Sequence, residues 1–327
     1  MTNFLTQRIN QYLGSLLSRI REIIKSPSKR MGYIFTGITL VLVVGILGYL
    51  IYREREILFS FEWKINFIAL GFSFFVYSLS MMLATFNWGN IMNHLAGKLS
   101  YRKHFRYFCI ANAAKRLPGT IWYIASRANL YRQDGIDIKL TSMASALEYA
   151  FVTLSGIIGT LVFSFSILTK YRVSPWLLGA LFILTLFLIQ PKVINHIFRA
   201  LKVEANTLKF KEIFFWTAAY CLQWMIGGSL LFLVINIIYP LPVSALNYVL
   251  GIWLVVIMVS RIMIFLPSNF GITEIGFSLL LSNLIPSPIA VVASLLFRLL
   301  VTAMDILFAF ASASFRLEFL GPLTKKD

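Results

Sequence analysis

Five charged side chains interrupt long apolar stretches of this chain: Arg127, Glu148, Glu274, Arg298 and Asp305. A charge near the centre of a membrane-spanning helix costs roughly 2.5 to 3.5 kcal/mol, so such residues face a bundle interior or a wet cavity. The guanidinium fork suits a phosphate group, and a buried carboxyl group can carry a proton. These residue types together predict a site that binds an anionic group and releases it when a carboxylate competes for the same arginine.

The charged residues fall on helical stripes of small and hydroxyl-bearing side chains, which predicts that both stripes point inward. Glu148 shares its stripe with Thr141, Ser145, Ser155 and Gly159, and Arg298 and Asp305 share theirs with Ser294, Thr302, Ala309 and Ser312. A structural alternative stays open at this point: a buried ion pair, either Glu148 with Arg298 or Asp305 with Arg298, that locks two helices together.

Two apolar stretches are broken by proline and glycine. The first break contains Pro118 and Gly119, and the second, within FLPSNFGITEIG, contains Pro267, Asn269 and Gly271. Irregular backbone at membrane depth is tolerated where protein or a water-filled cavity surrounds it. We therefore expect these residues to form the tips of two re-entrant helical hairpins, the first entering from inside and the second from outside.

The elements that must position these residues follow from the composition. The chain is 58% hydrophobic and 13% charged, and about 20 apolar residues are needed to cross a hydrocarbon core of roughly 30 Å. Continuous apolar runs predict helices, so we expect an all-α integral membrane protein. Six runs are long enough to span the bilayer: 31–52, 65–86, 141–168, 175–191, 212–238 and 289–313. Two further segments, 105–133 and 246–285, contain the breaks.

The basic residues predict the orientation. If both broken segments are hairpins, most of the 30 Lys and Arg residues fall in segments on one side, which the positive-inside rule assigns to the cytoplasm. We therefore expect a multi-pass protein of the cell membrane with both termini cytoplasmic. Its parts would be an amphipathic basic leader at 1–30, one transmembrane domain at 31–315 and a short tail at 316–327. Orientation and anionic lipid account for the +17 charge, so no nucleic-acid partner is implied.

The two breaks also predict an inverted repeat. Glu148 follows Leu117 by a spacing close to that between Leu266 and Arg298, and the sign of the charge is exchanged. An odd number of predicted spans separates the breaks, so the second unit would be inverted relative to the first. Coincidental spacing is the alternative.

The broken segments resemble a known family. RLPGTIWYIASRANLYRQDGIDIKLTSMASALEYAFV, FLPSNFGITEIGFSLLL and VASLLFRLLVTAMD are similar to the lysylphosphatidylglycerol synthase/flippase transmembrane family, including stand-alone members without a synthase domain. Pro118, Gly119, Arg127 and Glu148 match the family pattern in the first segment, and Pro267, Gly271 and Glu274 match it in the second. The second segment departs from the pattern at Ser268, Asn269 and Thr273, where the family carries a glycine pair and an arginine.

The resemblance implies a lipid flippase that moves an anionic phospholipid or a polyprenyl-phosphate-linked lipid between leaflets, with no cofactor. Arg116 and its basic neighbours crowd the first hairpin, where an anionic head group would load. A second copy of the chain and a lipid or glycan biosynthetic enzyme are the protein partners it suggests.

A membrane-embedded enzyme and a scaffold that accompanies lipid-linked glycan biosynthesis are the alternatives. Asp134 and Asp137 are the close pair of carboxylates at a predicted boundary, but a turn and a helix N-cap explain them. The three histidines show no metal-ligand spacing and no phosphate-binding loop motif occurs, so the sequence predicts neither a metal site nor ATP hydrolysis.

Overall fold

The computed structural model describes residues 45, 48, 49, 52, 55–97, 99–115, 121–170, 172, 174–188, 190–200, 207–262 and 271–314. The predicted leader at 1–30, most of the predicted span at 31–52 and the tail at 316–327 lie outside these residues. So do five predicted site and tip residues: Arg116, Pro118, Gly119, Pro267 and Asn269.

The described residues fold into α-helices and one short 3-10 helix, with no β-strand among them. The α-helices are α1 (Arg55–Ser60), α2 (Phe67–Ala96), α3 (Tyr101–Ala114), α4 (Ile121–Arg132), α5 (Ile138–Phe163), α6 (Phe165–Lys170), α7 (Pro175–Leu188), α8 (Pro191–Ala200), α9 (Phe210–Ile238), α10 (Leu246–Ile262), α11 (Ile272–Leu281) and α12 (Ser287–Ser314). The 3-10 helix, Val243–Ala245, leads directly into α10.

Five helical stretches are long and apolar enough to cross a membrane, namely Phe67–Ala96, Ile138–Phe163, Phe210–Ile238, Val243–Arg261 and Ser287–Ala313. The chain is therefore an all-α, multi-pass membrane protein, as the composition predicts. A sixth crossing exists if Gly179–Leu188 and Pro191–Ile197 form one span, but these two helices meet at 58°. Within the span predicted at 175–191, α7 ends at Leu188. Proline lacks the N–H that continues a helix, so Pro191 instead begins α8.

Helix α2 runs ten residues beyond the predicted end of its span, through Asn87, Asn93 and His94 to Ala96. These polar side chains are accommodated because they pack and bond inside the protein. Asn87 is fully buried, and Asn93 Oδ1 accepts a hydrogen bond of 2.7 Å from the backbone N–H of Leu99. Hydropathy alone places the boundary at the first polar residue and so misses these last ten residues of helix, nearly three turns.

Helices α3 and α4 form the first hairpin. Contacts run antiparallel along it, from Lys103 with Asp134 at the open end to Lys115 with Tyr123 near the tip. The arms have 14 and 12 residues, or about 21 and 18 Å, and neither crosses a core of roughly 30 Å. Their open end lies beside the end of α2, where His104 bonds to Asn93.

Helices α10 and α11 form the second hairpin. Trp253 stacks on Phe277, with ring centroids 5.9 Å apart, and Val256 packs against Gly276. Sequence numbers rise along one arm as they fall along the other, so the arms are antiparallel. Helix α10 with its 3-10 turn is long enough to span, whereas α11 has ten residues, or about 15 Å. The segment is a hairpin with one long and one short arm.

The two hairpins enter the bundle from opposite faces. Ser164, at the end of α5, donates a hydrogen bond of 3.0 Å to the carbonyl of Gly251 near the start of α10. The same face holds the start of α2 and the end of α9, because Asn66 N–H donates to Ile237 O over 2.8 Å. The first hairpin opens at the other face, where α2 ends.

The helix order therefore repeats with opposite orientation. A long helix, a hairpin and a second long helix occur as α2, α3–α4 and α5, and again as α9, α10–α11 and α12. Helices α2 and α9 pack against each other along the junction of the two units. This topology is that of the inverted repeat which the spacing of the breaks predicts.

Candidate functional site

A cavity of 410 Å³ is lined by described residues of both hairpins and of the long helices α2, α5, α9 and α12. Six charged residues line it, four cations and two anions: Lys115, Arg127, Arg261, Arg298, Glu148 and Glu274. Aromatic side chains also line the cavity, among them Tyr77, Tyr149, Trp253 and Phe297. The structure thus brings Arg127, Glu148, Glu274 and Arg298 together in one space, although they come from four helices.

Arg127, on the second arm of the first hairpin, forms a salt bridge to Glu148 of α5 through its Nη1. Its guanidinium carbon lies 4.0 Å from the ring centroid of Trp88, 4.8 Å from that of Phe108 and 5.2 Å from that of Tyr123. The side chain is 3% exposed. Three aromatic faces and one carboxylate therefore surround the charge, which excludes water and fixes the guanidinium in place.

A chain of buried hydrogen bonds supports this aromatic cage from behind. Trp88 Nε1 donates to the hydroxyl of Tyr131 over 2.8 Å, and that hydroxyl lies 2.6 Å from His104 Nδ1. His104 Nε2 lies 2.9 Å from Asn93 Oδ1. One consistent assignment has Tyr131 donating to Nδ1 and neutral His104 donating from Nε2 to Asn93.

His104 is in the first turn of α3, outside the membrane-spanning helices, and is fully buried. Burial lowers the pKa of His104 to about 4, because the imidazolium ion loses its hydration there. The neutral ring of this assignment is thus also the form that burial favours.

Arg298 of α12 forms the second salt bridge, a contact of 3.2 Å from its Nη1 to Glu274 Oε1 on α11. The other oxygen of Glu274 accepts a hydrogen bond of 2.6 Å from the backbone N–H of Gly271. Gly271 precedes α11 with φ of 96°, a conformation that favours glycine. Glu274 thus caps the helix that begins at the hairpin tip. Arg298, with 23% of its side chain exposed, is the partly open member of the pair.

These pairs correct the expected ones. The sequence stripes suggest an ion pair of Arg298 with Glu148 or with Asp305, whereas Glu148 is paired with Arg127 and Arg298 with Glu274. Each observed pair joins the second arm of a hairpin to the long helix that follows it. A helical stripe shows which side of a helix faces inward, but it does not show which neighbour packs there.

Asp305 does not line the cavity, although the sequence makes it a candidate for substrate binding. Its Oδ1 accepts hydrogen bonds from the hydroxyl of Tyr77 and, over 2.6 Å, from Asn112 Nδ2. These contacts tie α12 to α2 and to the first hairpin near its tip. Asp305 therefore bonds to two residues that do line the cavity, Tyr77 and Asn112.

Asp134 and Asp137 also have structural partners. Asp134 accepts hydrogen bonds from Lys103 over 2.6 Å and from Tyr107 over 2.8 Å. Burial opposes its ionisation, but these two hydrogen bonds outweigh it and lower the pKa of Asp134. Asp137 caps α5 by accepting from Lys139 N–H over 3.0 Å, which confirms the predicted N-cap.

Arg261 is the cavity residue that sequence reasoning leaves out of the site. It lies in the last turn of α10, just before the second break, and its guanidinium carbon is 4.1 Å from the ring centroid of Tyr149. A charge at the end of the run NYVLGIWLVVIMVSRIMI was the available signal. Hydropathy gave no reason to distinguish it from a residue at a helix end.

The chain matches no protein-family model and no curated protein sequence. Its function is therefore inferred from the cavity.

Proposed function

We propose that this protein is a lipid transporter that moves an anionic phospholipid or a polyprenyl-phosphate-linked lipid between the leaflets of the cell membrane. The observation that carries the proposal is the cavity between the two hairpins and the long helices, which four cations and two carboxylates line within an apolar bundle. Charges at this depth are costly and mark pathways for polar groups. The head group passes through the cavity while the acyl or prenyl tails remain in the bilayer.

The two salt bridges contribute differently to this path. Arg298 lines the cavity with 23% of its side chain exposed, and its contact to Glu274 Oε1 is 3.2 Å long, so a phosphate can compete with Glu274 for it. Glu274 keeps its bond to Gly271 N–H during that exchange and can take Arg298 back, which releases the head group. Arg127 is enclosed, so it fixes the cavity wall.

The orientation and family resemblance support the same proposal. The basic segments predict that both termini are cytoplasmic, and with that orientation the first hairpin would load head groups from the inner leaflet. The inverted topology with two opposed hairpins is typical of transporters that alternate between two faces. The motifs at Arg127, Glu148 and Glu274 resemble the lysylphosphatidylglycerol synthase/flippase family. A proton or ion gradient, or the lipid gradient alone, would drive the movement.

Reconstitution tests the proposal. Purified protein in liposomes should move labelled phosphatidylglycerol between leaflets, and Arg298→Met should slow this by about tenfold or more, because it removes the exchangeable phosphate contact. Arg199→Met, at an exposed position on α8, is the matched control and should transfer lipid like the parent. Size-exclusion profiles verify that the variants are folded.

The same liposomes separate the alternatives. An enzyme of lipid-linked glycan assembly would change the mass of the lipid, and a scaffold would neither move nor modify it. Parental transfer rates in Arg298→Met would remove this residue from the path.

A further inference from the structure

We infer that Arg261 is the primary binding residue for the head-group phosphate and that it makes the site prefer anionic lipids to zwitterionic ones. The inference rests on the proposed function, because it names the substrate contact within the same cavity. It starts from the charge inventory of the cavity wall. Arg127 and Arg298 each have a carboxylate partner at salt-bridge distance, whereas no carboxylate of the described residues lies at that distance from Arg261.

The guanidinium of Arg261 is held in a defined orientation with no carboxylate of the described residues at salt-bridge distance. It stacks on the ring of Tyr149 at 4.1 Å, and its Nη2 donates to the carbonyl of Tyr149 over 3.4 Å. The hydroxyl of Tyr149 in turn donates to the carbonyl of Arg261 over 2.9 Å. This reciprocal clamp fixes the side chain before any ligand arrives, so little conformational entropy is lost on binding.

The clamp leaves hydrogen-bond donors of Arg261 unused. Nε is buried and has no hydrogen-bond partner within the described part of the chain. Nη1 forms no hydrogen bond to a described residue either. A buried Nε–H without an acceptor is an incomplete hydrogen-bond site. A phosphate oxygen completes it by accepting a charge-assisted hydrogen bond from Nε–H.

The position of Arg261 suits a first contact. It lies at the C-terminal end of α10 and stacks on Tyr149, which directly follows Glu148 in α5. Both ion pairs and Arg261 therefore line the same cavity. The C-terminal end of a helix also favours a positive charge. A phosphate at Arg261 therefore meets Arg298 as a second, exchangeable contact across the cavity.

The charge balance gives the selectivity. With four cations against two anions, the cavity attracts a head group that brings a net negative charge. A zwitterionic head group brings its own cation into this positive space and binds less well. Arg261 supplies part of this excess positive charge, because no described carboxylate lies at salt-bridge distance from it, so its removal should weaken binding and reduce the preference together.

The experiment measures binding and transfer separately. Dioctanoyl phosphatidylglycerol and dioctanoyl phosphatidylcholine are titrated into the detergent-solubilised full chain, and transfer of labelled lipid is measured in liposomes. Arg261→Met should weaken phosphatidylglycerol binding by about tenfold or more and lower the ratio of the two affinities. Arg199→Met, the exposed arginine on α8, should change neither quantity. Arg261→Lys keeps the charge but loses the planar fork, so it should bind with intermediate affinity, and it serves as the test if the methionine variant does not fold.

The outcomes distinguish the two proposals. If the parent binds phosphatidylglycerol through Arg261 but transfers no lipid, the transport function fails and the phosphate site stands. If the parent transfers lipid and the folded Arg261 variants bind and select like the parent, Arg261 is overturned as the phosphate residue. A parent chain that prefers phosphatidylcholine, or that binds neither lipid, contradicts the inference directly.

Discussion

Each of the two hairpins contributes one residue to a buried arginine–carboxylate pair. The first hairpin contributes the arginine and the second the carboxylate, and the surroundings of the two pairs differ. In the first hairpin the arginine, Arg127, belongs to the short arm and the carboxylate, Glu148, to the following long helix. In the second hairpin the carboxylate, Glu274, belongs to the short arm and the arginine, Arg298, to the long helix. The first pair is enclosed by aromatic rings, whereas the arginine of the second is 23% exposed.

This difference shows that residue pairs at equivalent positions of the two repeats can have different roles. Aromatic faces around Arg127 remove water and strengthen the attraction to Glu148, so that pair holds two helices together. Glu274 accepts one hydrogen bond from Gly271 N–H and another from Arg298. A ligand can therefore take the place of Glu274 at Arg298 while Glu274 keeps its bond to Gly271. The first pair is therefore suited to structure and the second to exchange.

The largest expected effect breaks the enclosed pair. Arg127→Met leaves Glu148 without its partner in a buried site, and breaking a buried pair costs about 3 to 5 kcal/mol. The equivalent change, Arg298→Met, should cost roughly 1 to 2 kcal/mol, because Glu274 retains its backbone hydrogen bond. Unfolding free energies in mixed micelles, measured by denaturant titration, would compare them.

A double variant sharpens this prediction. Arg127→Met combined with Glu148→Leu removes both charges and should recover most of the lost stability, since apolar replacement of a whole buried pair is often neutral. Equal losses of unfolding free energy in Arg127→Met and Arg298→Met would contradict the distinction between a structural pair and an exchangeable pair.

The next effect concerns His104, which supports the aromatic cage around Arg127 through Tyr131 and Trp88. The second hairpin contains no histidine. His104 is neutral in the folded protein, with its pKa lowered to about 4 by burial, while an unfolded histidine titrates near 6.5. The unfolded state binds the extra proton between these values, so stability is retained above pH 6.5 and lost as the pH falls towards 4. The loss should approach about 3 kcal/mol.

Thermal unfolding of the detergent-solubilised protein at several pH values measures this loss. His104→Gln should make the acid-induced decrease smaller, whereas His196→Gln, at an exposed position, should leave it as in the parent. A parent curve that is flat between pH 7 and 4 would contradict the buried neutral imidazole.

The smallest expected effect tests the helix cap of the second pair. Glu274→Gln weakens a charge-assisted bond to Gly271 N–H and the contact to Arg298, and should cost about 1 to 3 kcal/mol. Glu212 is a matched control, because it accepts from the backbone N–H of Lys209 over 2.9 Å at the start of α9, where the cap is exposed. Glu212→Gln should cost about 0.5 kcal/mol. Similar losses at both sites would mean that Glu274 is a cap and nothing more.

Much of the fold was determined by the sequence. Apolar runs of membrane length require helices, because backbone groups in lipid must bond within their own segment. Proline and glycine at the breaks, with Gly271 at φ of 96°, require the chain to leave helical geometry there. Charges as costly as Arg127, Glu148, Glu274 and Arg298 had to face inward, so four residues of the cavity were readable from sequence.

The tertiary structure decided which buried arginine pairs with which carboxylate. Which carboxylate meets which arginine depends on how hairpins and long helices rotate and pack, and a stripe on one helix does not encode its neighbour. For this reason Glu148 forms its salt bridge with Arg127, and Asp305 accepts a hydrogen bond from Asn112. Arg261 lies in the cavity with no described carboxylate at salt-bridge distance. Local physical chemistry fixed which residues must be buried, whereas the packing of distant helices fixed what each buried charge faces.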